Sequence, residues 1–154
     1  MIAVLQRVKR AAVRVDGETV GECKQGLCIL LGVAKGDTEE DARALADKIV
    51  ALRIFNDENG KMNLSLKDID GEALIVSNFT LLASYRKGKR PDYISAAAPD
   101  EANRLYEYFC SLCGSELKHT GRGIFGAEME LEIINDGPVT IVMDSNVLLK
   151  KTAN

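Results

Sequence analysis

The sequence predicts an α/β or α+β domain in which a large mixed or antiparallel sheet carries two helices packed on one side. Two observations lead to it. Apolar runs of strand length, separated by Asp-Gly pairs, crowd both ends of the 154-residue chain. Between them lie two units in which a short, fully apolar run is followed by a stripe of helical period.

Ile2 to Val8 and Ala11 to Val15 read as strands joined tightly, and Asp16-Gly17 makes a hairpin turn from which Thr19 to Cys23 returns. Leu27 to Val33, opened by Gly26, is apolar throughout and short enough to be a strand buried on both faces. The first helix is capped by Asp37 or Thr38, with Glu40 or Asp41 three positions on. Ala42, Leu45, Ile49 and Leu52 give its buried stripe. Asp57 to Gly60 is a turn, and Leu74 to Phe79 is a second buried strand. In the second helix Pro99 suits the first position, Asp100 and Glu101 suit the positive end of the dipole, and Gly114 can end it. Its buried face is Ala102, Leu105, Tyr106, Phe109 and Leu112.

Near the C-terminus, Asn135-Asp136-Gly137-Pro138 separates two apolar-rich runs, Met129 to Ile134 and Val139 to Met143. One reading is a tight hairpin turn. The other is a Gly-Pro pair that presents bare backbone carbonyls. The stretch alone leaves both open.

A single domain spanning 1–154 is expected, large enough to bury roughly 70% of its unfolded surface. No apolar run nears the ~20 residues of a membrane span, and the first residues lack a signal peptide's basic start. A cytoplasmic protein with no membrane partner is expected, and the four cysteines suit that compartment as reduced thiols. The net charge of −3 argues against a generic nucleic-acid coat but permits an RNA touched at one end. A DNA partner is not expected.

His119 is the only histidine and lies in an unremarkable stretch, which leaves little room for a histidine-centred metal site or a Ser-His-Asp arrangement. Cys110 and Cys113 have CxxC spacing inside the second helix without a second ligand pair, so they read as core thiols. No metal and no organic cofactor is expected. Two features remain. Ser77-Asn78-Phe79-Thr80 ends a buried strand and places two hydroxyls and an amide together. Immediately after it, Arg86, Lys87, Lys89 and Arg90 form a basic cluster around Gly88 that suits an anionic, phosphate-bearing partner.

Gln6-Arg7-Val8, Arg53-Ile54-Phe55 with Gly60-Lys61-Met62-Asn63, Ser77-Asn78-Phe79-Thr80-Leu81 and Asn135-Asp136-Gly137-Pro138-Val139-Thr140 occur in the order and spacing of the D-aminoacyl-tRNA deacylases. The chain resembles that family over nearly its whole length. The resemblance implies a hydrolase that removes D-amino acids, and mischarged glycine, from the 3′ end of tRNA. It implies a homodimer in which a cis Gly137-Pro138 element of one subunit enters the partner's site and excludes L-amino acids with its carbonyls.

By the same resemblance Ser77 and the Phe79 amide hold the ester carbonyl. Thr80 is the position that competes with the ribose 2′-hydroxyl and water for the chemistry. Arg7 braces the Gly-Pro segment, Phe125 and Met129 line the pocket, and Asn78 stands where the family normally has glutamine. Two rivals are a conventional Ser/Thr esterase and a non-catalytic RNA- or protein-binding module.

Overall fold

A computed structural model describes residues 1–150 of the chain, so the last four residues of the expected 1–154 domain lie outside the described residues. The expected α/β class is observed: a large, nearly closed sheet with helices packed against it.

Strand β1 (Ile2–Val15) organises the sheet. One edge pairs antiparallel with β3 (Gly26–Gly32) and then with β2 (Glu18–Cys23), while the other edge pairs with β8 (Glu130–Asp144). The two strands expected at the start are thus one 14-residue strand. The interruption between them is a bulge at Lys9, because Val8 faces Asn135 and Arg10 faces Ile134. Beyond β3 the sheet turns parallel, through β6 (Glu72–Ser77) to β7 (Thr120–Arg122).

The sheet then curls until β7 meets β2 without a ladder. A Cβ at Gly21 would lie 2.2 Å from the Arg122 carbonyl oxygen, and one at Gly121 would lie 2.4 Å from that of Glu22. Only glycine admits that approach.

Period-two alternation gives the sheet two buried faces. Leu27, Ile29, Leu31, Ala73 and Ile75 pack towards helices α1 (Glu39–Ala51) and α2 (Pro99–Glu116). Cys28, Leu74 and Val76 point the other way, into a second cluster with Val8, Ala11 and Val13. Helix α1 starts at Thr38, whose N–H donates to Asp41 Oδ2 at 2.8 Å, as the expected capping box requires. Helix α2 begins with Pro99 but runs through Gly114 to Glu116, because Cys113 is fully buried in the core and the last turn stays packed. Leu112 is only half-buried, and Cys110 and Cys113 take the buried positions instead.

Of the two readings left open at Asn135–Pro138, the hairpin turn is not observed. Strand β8 continues along β1, with Asn135 opposite Val8 and Thr140 opposite Gln6, so residues 136–139 stand opposite the single residue Arg7. Pairing with β1 on both flanks holds the two arms in line, and the Asn-Asp-Gly-Pro chemistry serves a wide bulge instead. Proline, which has no ladder donor, is tolerated there. Residues 55–56 and 62–64 form the small hairpin β4–β5 around Gly60.

A short helix α3 (Ser145–Leu148), absent from the sequence expectation, closes the chain against α1. It carries a buried polar chain. The Met1 ammonium donates to Asp37 Oδ1 at 2.9 Å and to Ser145 Oγ at 2.8 Å, and Ser145 Oγ donates to Asp41 Oδ1 at 2.7 Å. Ser145→Ala removes the bridge between a buried cation and a buried carboxylate. It is expected to lower stability by about 1–3 kcal/mol without changing the fold, as read by urea unfolding.

Candidate active site

The parallel strands β3 and β6 end side by side, and the segments leaving them build the site. After Ser77 the chain passes through Asn78 into a 3-10 turn, Phe79–Leu82. Asn78 N–H donates to the Leu31 carbonyl at 2.8 Å, which fixes the exit from β6. Beneath the turn lies Gly32, where a Cβ would come within 2.5 Å of Leu82 Cδ2 and 3.1 Å of the Asn78 carbonyl oxygen. A side chain there would push the turn out of place.

A cavity of about 770 Å³ opens at this strand end. Its lining is mostly apolar: Leu30 and Val76 from the sheet, Ala102 and Tyr106 from α2, and Phe125 and Met129 from the approach to β8. Ser77, Asn78 and Phe79 form its polar edge, and Tyr93 stands across the mouth, edge-on to Phe79 with ring centroids 5.0 Å apart. The Tyr106 hydroxyl donates to the Ile75 carbonyl at 2.8 Å, and burial pushes its pKa well above the ordinary phenol value. It is a structural donor with its proton in use.

Five of the residues singled out in the sequence therefore share one cavity: Ser77, Asn78, Phe79, Phe125 and Met129. Thr80 does not line it. Its hydroxyl donates to Asn78 Oδ1 on the exposed side of the turn. The first N–H groups of such a turn have no partner within it, so the Phe79 amide is available at the cavity edge.

Arg7, Gly137 and Pro138 do not line this cavity. Arg7 is buried, and its guanidinium donates through Nε to the Asp136 carbonyl at 3.1 Å and through Nη1 to the Ile54 carbonyl at 2.8 Å. Asn135 closes the other side, donating to the Arg7 carbonyl at 2.9 Å and the Val139 carbonyl at 3.1 Å. Between these braces the Gly137-Pro138 peptide bond is cis and the two residues are exposed. Sequence reasoning missed Asn135 and Ile54 as partners of this segment. Asn135 had a turn signal that masked its role, and Ile54 contributes only a backbone oxygen.

Arg86, Lys87, Lys89 and Arg90 are all exposed on a loop tied off by Ser84 and Asp92. Tyr93, missed as a cavity residue, comes directly after that tie. The candidates set aside in the sequence lie elsewhere. His119 Nε2 sits 2.9 Å from the Glu22 carbonyl oxygen on the β2–β7 edge. Cys110 and Cys113 are fully buried, and desolvation pushes their thiols up to about 11 and about 12. Such thiols hold their protons and are poor nucleophiles. Among the described residues no three His, Cys, Asp or Glu groups cluster to hold a metal ion. Nor is any helix among them long and apolar enough to cross a membrane.

Residues 4–144 match the family described as D-Tyr-tRNA(Tyr) deacylase. A D-aminoacyl-tRNA deacylase of Caldicellulosiruptor saccharolyticus is 61% identical over 94% of this chain and 97% of its own length. Another from Dehalococcoides mccartyi is 62% identical over 94% of this chain and 95% of its own. Among solved structures, a c-Myc DNA unwinding element binding protein superposes with a TM-score of 0.88 at 39% identity, covering 94% of this chain and 98% of that one. A probable eukaryotic D-amino acid tRNA deacylase shares the fold, with a TM-score of 0.76 at 19% identity over 93% of this chain and 98% of its own. The family match runs from residue 4 to residue 144, nearly the whole chain, and the chain belongs to the D-Tyr-tRNA(Tyr) deacylase family.

Proposed function

We propose that this chain, acting as one catalytic domain, hydrolyses the ester that joins a D-amino acid to the 3′ end of tRNA, and removes mischarged glycine as well. The observation that carries the reading is the Ser77-Asn78-Phe79 strand end opening on an apolar cavity of about 770 Å³. An aminoacylated terminal nucleoside has that character, with flat apolar faces and one reactive carbonyl.

Ser77 Oγ and the Phe79 N–H hold the ester carbonyl. As water adds, the oxygen gains charge, and the amide stabilises it where it forms. The tetrahedral adduct then collapses with loss of the ribose 3′-oxygen, which takes up the proton released by water. Aminoacyl esters are already activated, so alignment of water and the neighbouring 2′-hydroxyl supplies much of the rate. Thr80 supports this edge by donating to Asn78 Oδ1 and so orienting the Asn78 amide.

The same reading takes a second copy of the chain as partner. Gly137 and Pro138 are exposed and lie outside their own cavity, which supports their entering the cavity of the other subunit. Their carbonyls would stand where an L side chain must go, while hydrogen or a D side chain points away. Selectivity then comes from exclusion. Arg7 and Asn135 hold the element in place. The four cations of the 86–90 loop meet the tRNA backbone, and a tRNA substrate puts the work in the cytoplasm.

One observation favours a different reading, a non-catalytic nucleic-acid-binding module: the 39%-identical solved structure carries a DNA-binding name. Incubation with D-tyrosyl-, L-tyrosyl- and glycyl-tRNA separates the two. Release of D-tyrosine and glycine, roughly 100-fold or more faster than of L-tyrosine, is expected. Three intact esters would sink the hydrolase reading.

Thr80→Val keeps the shape and removes the hydroxyl. Hydrolysis of D-tyrosyl-tRNA is expected to survive within about tenfold in kcat, with no acyl-enzyme in the parent. A trapped adduct on Thr80 would make it the nucleophile.

Neutralising Arg86 and Lys89 to Gln is expected to weaken binding of all tRNAs alike. The slope of log affinity against log salt should fall by about 0.7–0.9 for each phosphate that is no longer neutralised. An unchanged slope would mean that the cluster touches only solvent.

A further inference from the structure

Beside the cavity, the loop that carries the 86–90 cations also carries an aromatic side chain, Tyr85, to which the hydrolase reading gives no role. Ser84 and Asp92 exchange two backbone hydrogen bonds of 2.8 and 2.9 Å and close the tip that runs from Tyr85 to Pro91. Gly88, with φ +69°, lets the tip reverse. Arg86, Lys87, Lys89 and Arg90 project from it, and none of them forms an ion pair among the described residues. In a chain of net charge −3, four unpaired cations in five positions are a local inversion of sign.

Exposed aromatic side chains lie in the same stretch. Tyr85 is 84% exposed, Ile94 72% and Phe79 59%, and Tyr93 is exposed beside them. Large exposed side chains scattered singly need no explanation, but the exposed aromatics all fall within residues 79–94. Tyr85 and Tyr93 each directly follow one of the two residues of the Ser84–Asp92 bridge. Tyr93 lines the cavity mouth. A strand whose terminal nucleoside fills the cavity would have Tyr93 among the residues around that nucleoside.

We infer that the 85–91 tip is a second nucleotide subsite, in which Tyr85 stacks on an unpaired base next to the terminal nucleoside while the neighbouring cations hold the phosphates on either side. The ligand class is a single-stranded RNA 3′ extension. The inference rests on the ester-hydrolase reading, which fixes the direction of the strand. An exposed aromatic set among unpaired cations is the combination that binds single strands, because every base offers a π face and every linkage a charge. Bases inside a duplex are stacked on both faces and leave none for Tyr85, so the subsite favours a terminus whose penultimate base is unpaired. An acidic peptide would use the cations but would gain little from the ring.

The test compares Tyr85→Ala and Tyr85→Phe on two substrates, D-tyrosyl-tRNA and D-tyrosyl-adenosine, the terminal nucleoside alone. Tyr85→Ala is expected to raise KM for the tRNA by roughly tenfold or more, with kcat and thermal stability unchanged. Tyr85→Phe should retain the parent KM, because the ring is kept. Neither variant should differ from the parent on D-tyrosyl-adenosine, which does not reach the tip. An unchanged KM for tRNA in Tyr85→Ala overturns the subsite and leaves the hydrolase reading intact. An equal loss on both substrates also overturns it, by making Tyr85 part of the cavity. If the parent protein cleaves neither substrate, the hydrolase reading fails and the subsite falls with it.

Discussion

Strand β1 is hydrogen-bonded along both edges, and the rest of the molecule is arranged around the widest interruption of its pairing with β8. Opposite Arg7, residues 136–139 leave the ladder as a bulge, while the strand on either side returns to register. The guanidinium spans the gap, bonding Asp136 on one side and Ile54 on the other. A buried charged donor with two carbonyl acceptors contributes roughly 1.5–3 kcal/mol per bond. It also couples the β4–β5 hairpin to the bulge, so two segments far apart in sequence are held by one side chain. Asn135 completes the brace from the opposite strand.

The cavity has a different origin. It lies where two parallel strands end and the chain must turn away from the sheet, a place at which α/β folds leave room for ligands. Close contact between Gly32 and the 3-10 turn pulls Phe79 down over the strand ends, and α2 supplies the far wall. Ties of 2.9 Å from Lys35 N–H to the Ser95 carbonyl and from Ala97 N–H to the Val33 carbonyl fasten the 92–98 segment over the mouth. Backbone positions, more than reactive side chains, define this site. That agrees with a chain whose lone histidine sits on the opposite seam and whose buried thiols are held protonated.

The cations of the 86–90 loop and the aromatics beside it extend the site outward. Their exposure costs the fold nothing, since the Ser84–Asp92 tie sets the loop without them. Unlike Phe79 and Tyr93, the loop cations and Tyr85 lie outside the cavity lining and can be changed by mutation without altering it. This separability comes from the architecture: scaffold in the sheet, the proposed chemistry at the strand end and the proposed recognition on the loop.

Much of this was legible in the sequence. The strand runs, both helices, the Thr38–Asp41 cap and the burial of Cys110 and Cys113 come from local patterns of period and capping, which depend only on near neighbours. The Ser77–Phe79 strand end was visible because an apolar run stops at hydroxyl and amide groups. What the sequence could not show depends on contacts made at long range. Asn135-Asp136-Gly137-Pro138 carries every local mark of a hairpin, and only pairing with β1 on both flanks turns it into a bulge. Gly114 looks like a helix end, yet packing of Cys113 carries α2 past it. Gly21 and Gly121 are unremarkable singly, and their meaning appears only where β2 and β7 meet. Local chemistry determined which segments become strands and helices and which residues are fit for the reaction. Tertiary structure decided which of them share a cavity, because that is set by the register of strands more than 100 residues apart along the chain.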